Sequence, residues 1–253
     1  MEGKHYVLVH GVCHGAWCWY KLKPQLESCG NKVTVLDLAA SGINPKKLQD
    51  IHCFAEYSEP LLEFLESLLP SEKVVLVGHS FGGLSIALAM DKFPHKIALS
   101  VFLAAFVPDT QHPPSYVFEQ QLNEGPDLNE ELNMETLSSG FVSMTFGSKL
   151  LSTRIYQRCP IEDIELAKML IRPGCLFIEQ LHKAKSLSEE GYGSVPKVYI
   201  VCKEDALIPA SYQRWMIENA GIDHVLEIQD SDHMAMLCKP QELCQILLDL
   251  VEN

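Results

Sequence analysis

Along this chain, short apolar runs alternate with stretches in which apolar residues recur every three to four positions. The runs at His5–Val9, Lys32–Leu36, Val74–Val77 and Leu99–Leu103 have strand length, and Val198–Val201 and Val225–Ile228 follow much later. Short apolar strands of this kind suit a sheet covered by helices on both faces. Between them the helical period shows near Trp19–Cys29, Phe54–Leu69 and Gly83–Phe93, then over Tyr212–Asn219 and Pro240–Val251. This order predicts an α/β fold, a mostly parallel sheet flanked by helices.

The rhythm breaks between about residues 108 and 193. Pro108, Pro113 and Pro114 open the stretch, polar text such as Asn123-Glu124-Gly125-Pro126-Asp127 follows, and the helical period resumes only over Ile161–Leu170. A connection this long is too large for an ordinary loop and points to a functional insertion. The expectation is one domain, with residues 1–107 and 194–253 as its core and 108–193 as a cap over the C-terminal edge of the sheet. No internal repeat or low-complexity tract is visible.

Composition narrows the possible partners. The 253 residues suffice for one well-buried core, and a net charge of −13 disfavours nucleic acid and anionic membranes. The nine cysteines include no Cys-x-x-Cys pair, so reduced thiols in a cytoplasmic protein are expected rather than a disulfide framework. The segment Met1–His5 carries no apolar core of a signal peptide, and no run approaches the ~20 apolar residues of a membrane span.

The candidate chemistry starts at Gly78-His79-Ser80-Phe81-Gly82, between the strand Val74–Val77 and a helical pattern. That context is the strand–turn–helix of a nucleophile elbow, in which a sharp turn lifts a serine hydroxyl above a sheet. A serine needs a base, and the base an orienting acid, in the chain order Ser, acid, His. Asp205 follows the strand Val198–Val201, and His233 follows Val225–Ile228, both at C-terminal strand ends where an open sheet gathers its site. Glu204, Asp230 and Asp232 are rival acids, and His79 is expected to pack under the elbow. Two backbone N–H groups should hold the oxyanion: that of Phe81, after the nucleophile, and that of Val12, in the glycine-bearing loop His10–Gly15. His10 and His14 have helical spacing but no carboxylate nearby, and neither the Walker nor the dinucleotide glycine pattern occurs. No metal and no cofactor is expected.

With these residues placed, the chain resembles the plant α/β-hydrolases of the methylesterase and hydroxynitrile lyase family over nearly its full length. The stretches that carry the resemblance include His10–Trp17, Leu36–Gly42, Tyr57–Pro60, Gly78–Gly83, Leu166–Leu170 and Asp232–Leu237. The lyases carry threonine where this chain has Gly11 and lysine where it has Met234, and His79 matches the esterases better. The resemblance therefore implies a serine esterase acting on a small-molecule methyl ester. Ser41–Pro45, Tyr57–Pro60 and Gly78–Gly82 are most similar to an esterase of indole alkaloid metabolism, whose β-aldehyde ester yields an acid able to decarboxylate. Methyl salicylate and methyl jasmonate esterases are the alternatives, followed by a hydroxynitrile lyase and by a hormone-receptor-like ligand binder. Homodimers are frequent in the family. Phe81, Met234, Tyr116, Phe118 and Phe146 are candidate pocket residues. Residues 120–145 depart from the family pattern, and no tryptophan lies between Trp19 and Trp215 to cover the pocket.

Overall fold

In the computed structural model, residues 3–124, 131–137 and 141–252 are described. The first four strands are β1 (His5–Val9), β2 (Lys32–Leu36), β3 (Val74–His79) and β4 (Ile97–Leu103). The insertion contributes β5 (Leu132–Thr136), β6 (Val142–Phe146) and β7 (Gly174–Cys175), and β8 (Lys197–Cys202) and β9 (Val225–Ile228) complete the core. Six strands form one parallel sheet in the order β2-β1-β3-β4-β8-β9. The apolar runs occupy it as their composition requires, with every residue of β3 buried. The chain moves from β1 to the β2 edge and returns to the other side of β1 as β3. The connections after β1 and β3 therefore leave toward opposite edges of the sheet, the kind of switch in strand order beside which open α/β sheets bind their ligands.

The helix Gly82–Lys92 packs across β1, β3 and β4, while Leu22–Ser28 and Pro240–Glu252 pack on each other. The Tyr6 hydroxyl donates to the Leu247 carbonyl at 2.8 Å and ties that last helix to the sheet. Two helical patterns are broken. Trp19–Cys29 contains the end of a 3-10 turn, Ala16–Trp19, and then the helix Leu22–Ser28. Phe54–Leu69 divides at Ser58 into Phe54–Tyr57 and Glu59–Ser67. Pro60 explains the second break, because it has no N–H to continue the ladder and suits the first turn of a new helix.

Between β4 and β8 the chain builds a three-stranded antiparallel sheet, β5-β6-β7, with the helices Tyr116–Glu124, Ile161–Leu170 and Ile178–Lys183. Polar ties join this region to the core. Asp163, 1% exposed, accepts from Lys21 Nζ and from the Tyr20 hydroxyl, both at 2.5 Å. The Arg172 guanidinium donates to the carbonyls of Gly42 and Asn44, and its backbone N–H donates to the Cys13 carbonyl. Part of the divergent stretch 120–145, residues 125–130 and 138–140, lies outside the described residues. No helix among the described residues is long and apolar enough to cross a membrane.

Candidate active site

Ser80 follows the last residue of β3, and its backbone is held at φ +54°. A side chain in this left-handed region stores roughly 1–3 kcal/mol of strain. The turn is fixed by its amide, which donates to the Leu103 carbonyl at 3.3 Å, and by its carbonyl, which accepts from Gly83 and Phe106. Close approach explains two glycines here. A Cβ at Gly82 would lie 2.5 Å from the His10 carbonyl oxygen, and one at Gly11 would lie 2.8 Å from Ser80 Cβ. The loop after β1 thus presses against the serine itself.

His233 is 2% exposed, and its Nδ1 lies 2.7 Å from Asp205 Oδ2. Asp205 has no freedom to turn away. Its Oδ1 accepts the amides of Leu207 and Ile208, both at 2.8 Å, and Gln213 Nε2 reaches Oδ2 at 3.4 Å. This network places the proton on Nδ1 and leaves Nε2 as the lone pair of the ring. The rival acids are engaged elsewhere. Asp232 accepts the amides of Arg158 and Met234, Asp230 lies 3.6 Å from Lys239 Nζ, and Glu204 pairs with Arg158. Among the described residues Ser80 Oγ makes no direct hydrogen bond to His233, an open geometry common before substrate binds. The amides of Val12 and Phe81, both residues buried, donate to no protein group among the described residues. They are available to an oxyanion.

The flanking histidines have structural partners. His10 Nε2 accepts the Leu38 amide at 3.1 Å, so Nδ1 donates to the Gly11 carbonyl at 2.7 Å. His14 Nδ1 donates to the Val12 carbonyl at 3.0 Å, and its Nε2 accepts from the Tyr156 hydroxyl at 2.7 Å. Burial outweighs the Val12 hydrogen bond and draws the His14 pKa down to about 3, so the ring is neutral. Both imidazoles therefore spend both nitrogens on protein groups. His79 does more than pack under the elbow: its Nε2 donates to the His233 carbonyl at 2.8 Å, and the two rings are 4.5 Å apart. Burial, then the nearby His233, lowers the His79 pKa well below its ordinary value.

The proposed pocket residues separate. Phe118 meets Phe81 and Phe106 edge-on, Phe146 lies 6.0 Å from His14, and Met234 is fully buried. Tyr116 instead stacks on His112 at 4.1 Å and tilts against Trp215. Sequence reasoning missed Tyr156, Gln213 and the His79 tether. Tyr156 lies 142 positions from His14 in the chain, and no local pattern signals such a contact.

A parallel sheet carrying a strained serine elbow, with a carboxylate-bound histidine at neighbouring strand ends, defines the α/β-hydrolase class. The chain belongs to that family: the model described as alpha/beta hydrolase fold matches residues 4–240. It is 52% identical over 257 residues to salicylic acid-binding protein 2 of Nicotiana tabacum, covering 100% of this chain and 98% of the relative. It is also 52% identical to methylesterase 2 of Arabidopsis thaliana, covering 99% of this chain and 97% of the relative. A crystal structure of polyneuridine aldehyde esterase superposes with a TM-score of 0.95 at 49% identity, covering 98% of this chain and 99% of that one.

Proposed function

We propose that Ser80, His233 and Asp205 hydrolyse a small-molecule methyl ester through an acyl-serine intermediate. That the chain is a carboxylic ester hydrolase follows from its family and from esterase relatives at about half identity. The residue roles and the substrate are our reading, and the observation that carries it is the 2.7 Å bond from His233 Nδ1 to Asp205 beside the elbow. In this reading His233 Nε2 takes the Ser80 proton as Oγ attacks the ester carbonyl. The amides of Val12 and Phe81 receive the oxyanion. Collapse expels methanol, which takes the proton from His233, and a water activated by the same nitrogen then releases the acid. Residues 108–193 serve as the cap, with Phe118, Phe146 and Met234 facing the substrate.

Among methyl esters we favour one with an aldehyde β to the ester, as the name of the superposed esterase and the matching stretches suggest. The released β-oxo acid loses carbon dioxide through a cyclic transition state and needs no cofactor. Two features disfavour cyanohydrin cleavage. Met234 offers no cation to a leaving cyanide, and a threonine Cβ at position 11 would lie 2.8 Å from Ser80 Cβ on this backbone. The nine cysteines are free thiols, which suits the cytoplasmic setting we propose.

The test is a panel of methyl salicylate, methyl jasmonate, an alkaloid β-aldehyde methyl ester and mandelonitrile, with product masses read directly and Ser80→Ala as control. Acid plus methanol supports the esterase, and a product lighter by a carboxyl group supports the alkaloid branch. Tight binding of salicylate without turnover of any ester would replace both with a ligand-capture protein, the second reading favoured by the tobacco relative.

A further inference from the structure

Beside His233, outside the residues assigned to catalysis, two thiols and a carboxylate converge. Among the described residues, Cys159, Asp232 and Cys238 are the one group of three ligating side chains whose donor atoms lie within 4.8 Å of one another. Cys159 belongs to the insertion, just before the helix Ile161–Leu170, whereas Cys238 ends the short helix Ala235–Cys238 that follows His233. From these observations we infer that Cys159, Cys238 and Asp232 form a binding site for a thiophilic divalent cation such as zinc or cadmium.

The spacing of Cys159 and Asp232 suits such an ion, and Cys238 Sγ lies within 4.8 Å of both. With zinc–sulfur bonds of about 2.3 Å and zinc–oxygen bonds of about 2.0 Å, a tetrahedral site has edges of about 3.5 Å from sulfur to oxygen and about 3.8 Å between sulfurs. Cys159 Sγ lies 3.5 Å from Asp232 Oδ2 and 3.8 Å from Oδ1. The carboxylate is fully buried and held from behind, since Oδ2 accepts the Arg158 amide at 2.8 Å and Oδ1 the Met234 amide at 2.9 Å. Such outer contacts orient a ligand. Cys238 Sγ also meets Ser231 Oγ at 3.4 Å. Both cysteines are only half-buried, which gives an ion a path in and leaves the fourth position to water.

Binding is balanced by proton release: two thiols lose their protons to solvent, and the ion takes two thiolates and one carboxylate. The filled site ties the turn of the insertion at Cys159 to the His233 loop. It also draws on the carboxylate that holds the Met234 amide, the residue next to His233. Ester turnover, on the function proposed above, then falls as the site fills.

The experiment titrates chelator-treated full-length protein with cadmium, without substrate, and follows the ultraviolet thiolate-to-cadmium charge-transfer band. One equivalent should saturate the band, a large excess of zinc should compete it away, and the melting midpoint should rise with occupancy. Cys159→Ser and Cys238→Ser should each weaken cadmium binding by at least about 100-fold, whereas Cys29→Ser, at an exposed thiol outside the cluster, should leave it unchanged. If Cys159→Ser does not fold, Cys238→Ser alone decides the matter. Absence of the band, or an unchanged band in both cluster variants, overturns the site. Turnover that ignores cadmium while the band forms overturns the inhibitory consequence, and the binding readout is independent of whether any ester is a substrate.

Discussion

The C-terminal edge of the parallel sheet and the insertion above it are built on opposite terms. At the sheet edge each candidate catalytic group sits just beyond a strand of the parallel sheet: Val12 after β1, Ser80 after β3, Asp205 after β8 and His233 after β9. In the insertion, placement comes from single contacts between residues far apart in the chain. Tyr156 meets His14 across 142 positions, and Asp163 meets Lys21 across another 142. Strand ends fix a reaction geometry because a continuous ladder of paired strands sets their spacing. Pairwise ties hold the insertion, and each tie can be lost without losing the sheet.

That contrast can be broken by mutation, most severely at the strand ends. Ser80→Ala and His233→Ala should each lower kcat by about 10⁶, since members of such a triad act as a unit. The melting transition should stay within a degree or two, as a thermal scan beside the assay would show. Asp205→Asn should cost about 10⁴ in kcat by holding His233 in the wrong tautomer. A near-normal Asp205→Asn enzyme would move the acid role to another carboxylate.

Ties to the insertion should give smaller effects, and on stability as much as on rate. Tyr156→Phe removes the hydroxyl that donates to His14 Nε2, leaving a buried acceptor unpaired at a cost of about 1–3 kcal/mol in urea denaturation. His14 also holds the Val12 carbonyl. The loosened loop should lower kcat about tenfold, well short of the roughly 10²–10³ for deleting an oxyanion donor. Lys21→Met should be milder. Lys21 is partly exposed and the Tyr20 hydroxyl still serves Asp163, so a loss of about 1–2 kcal/mol in stability is expected after solvent screening. Its kcat should change by about twofold at most, because Asp163 touches no triad residue. A rate defect in Lys21→Met as large as that of Asp205→Asn would erase the distinction between the two regions.

The same distinction explains what could be read without coordinates. β1, β2 and β9 begin and end where the apolar runs do, and β3, β4 and β8 extend those runs by one or two residues at an end. β1, β3 and β8 are almost wholly buried, and burial on both faces leaves a near-continuous apolar run in the local sequence. β5 carries no such signal: Asn133, Met134, Glu135 and Thr136 are all exposed, so that strand is defined by its pairing with β6 and not by its composition. The order Ser80, Asp205, His233 was legible because chain order and strand ends suffice to suggest it. The choice among Asp205, Glu204 and Asp232 rests on which carboxylate the imidazole meets, a contact spanning 28 positions. The convergence of Cys159 on Cys238 was invisible for a related reason, since it brings the insertion against the core.

The central claim is that Ser80 is a nucleophile activated by His233. Its most direct test needs no knowledge of the substrate: treat the protein with a serine-directed phosphonate ester and map the adduct by peptide mass spectrometry. The account predicts one stoichiometric adduct on Ser80, formed at least about 10³-fold more slowly in His233→Ala. An adduct on a different residue, or labelling of Ser80 at the same rate without His233, would contradict it.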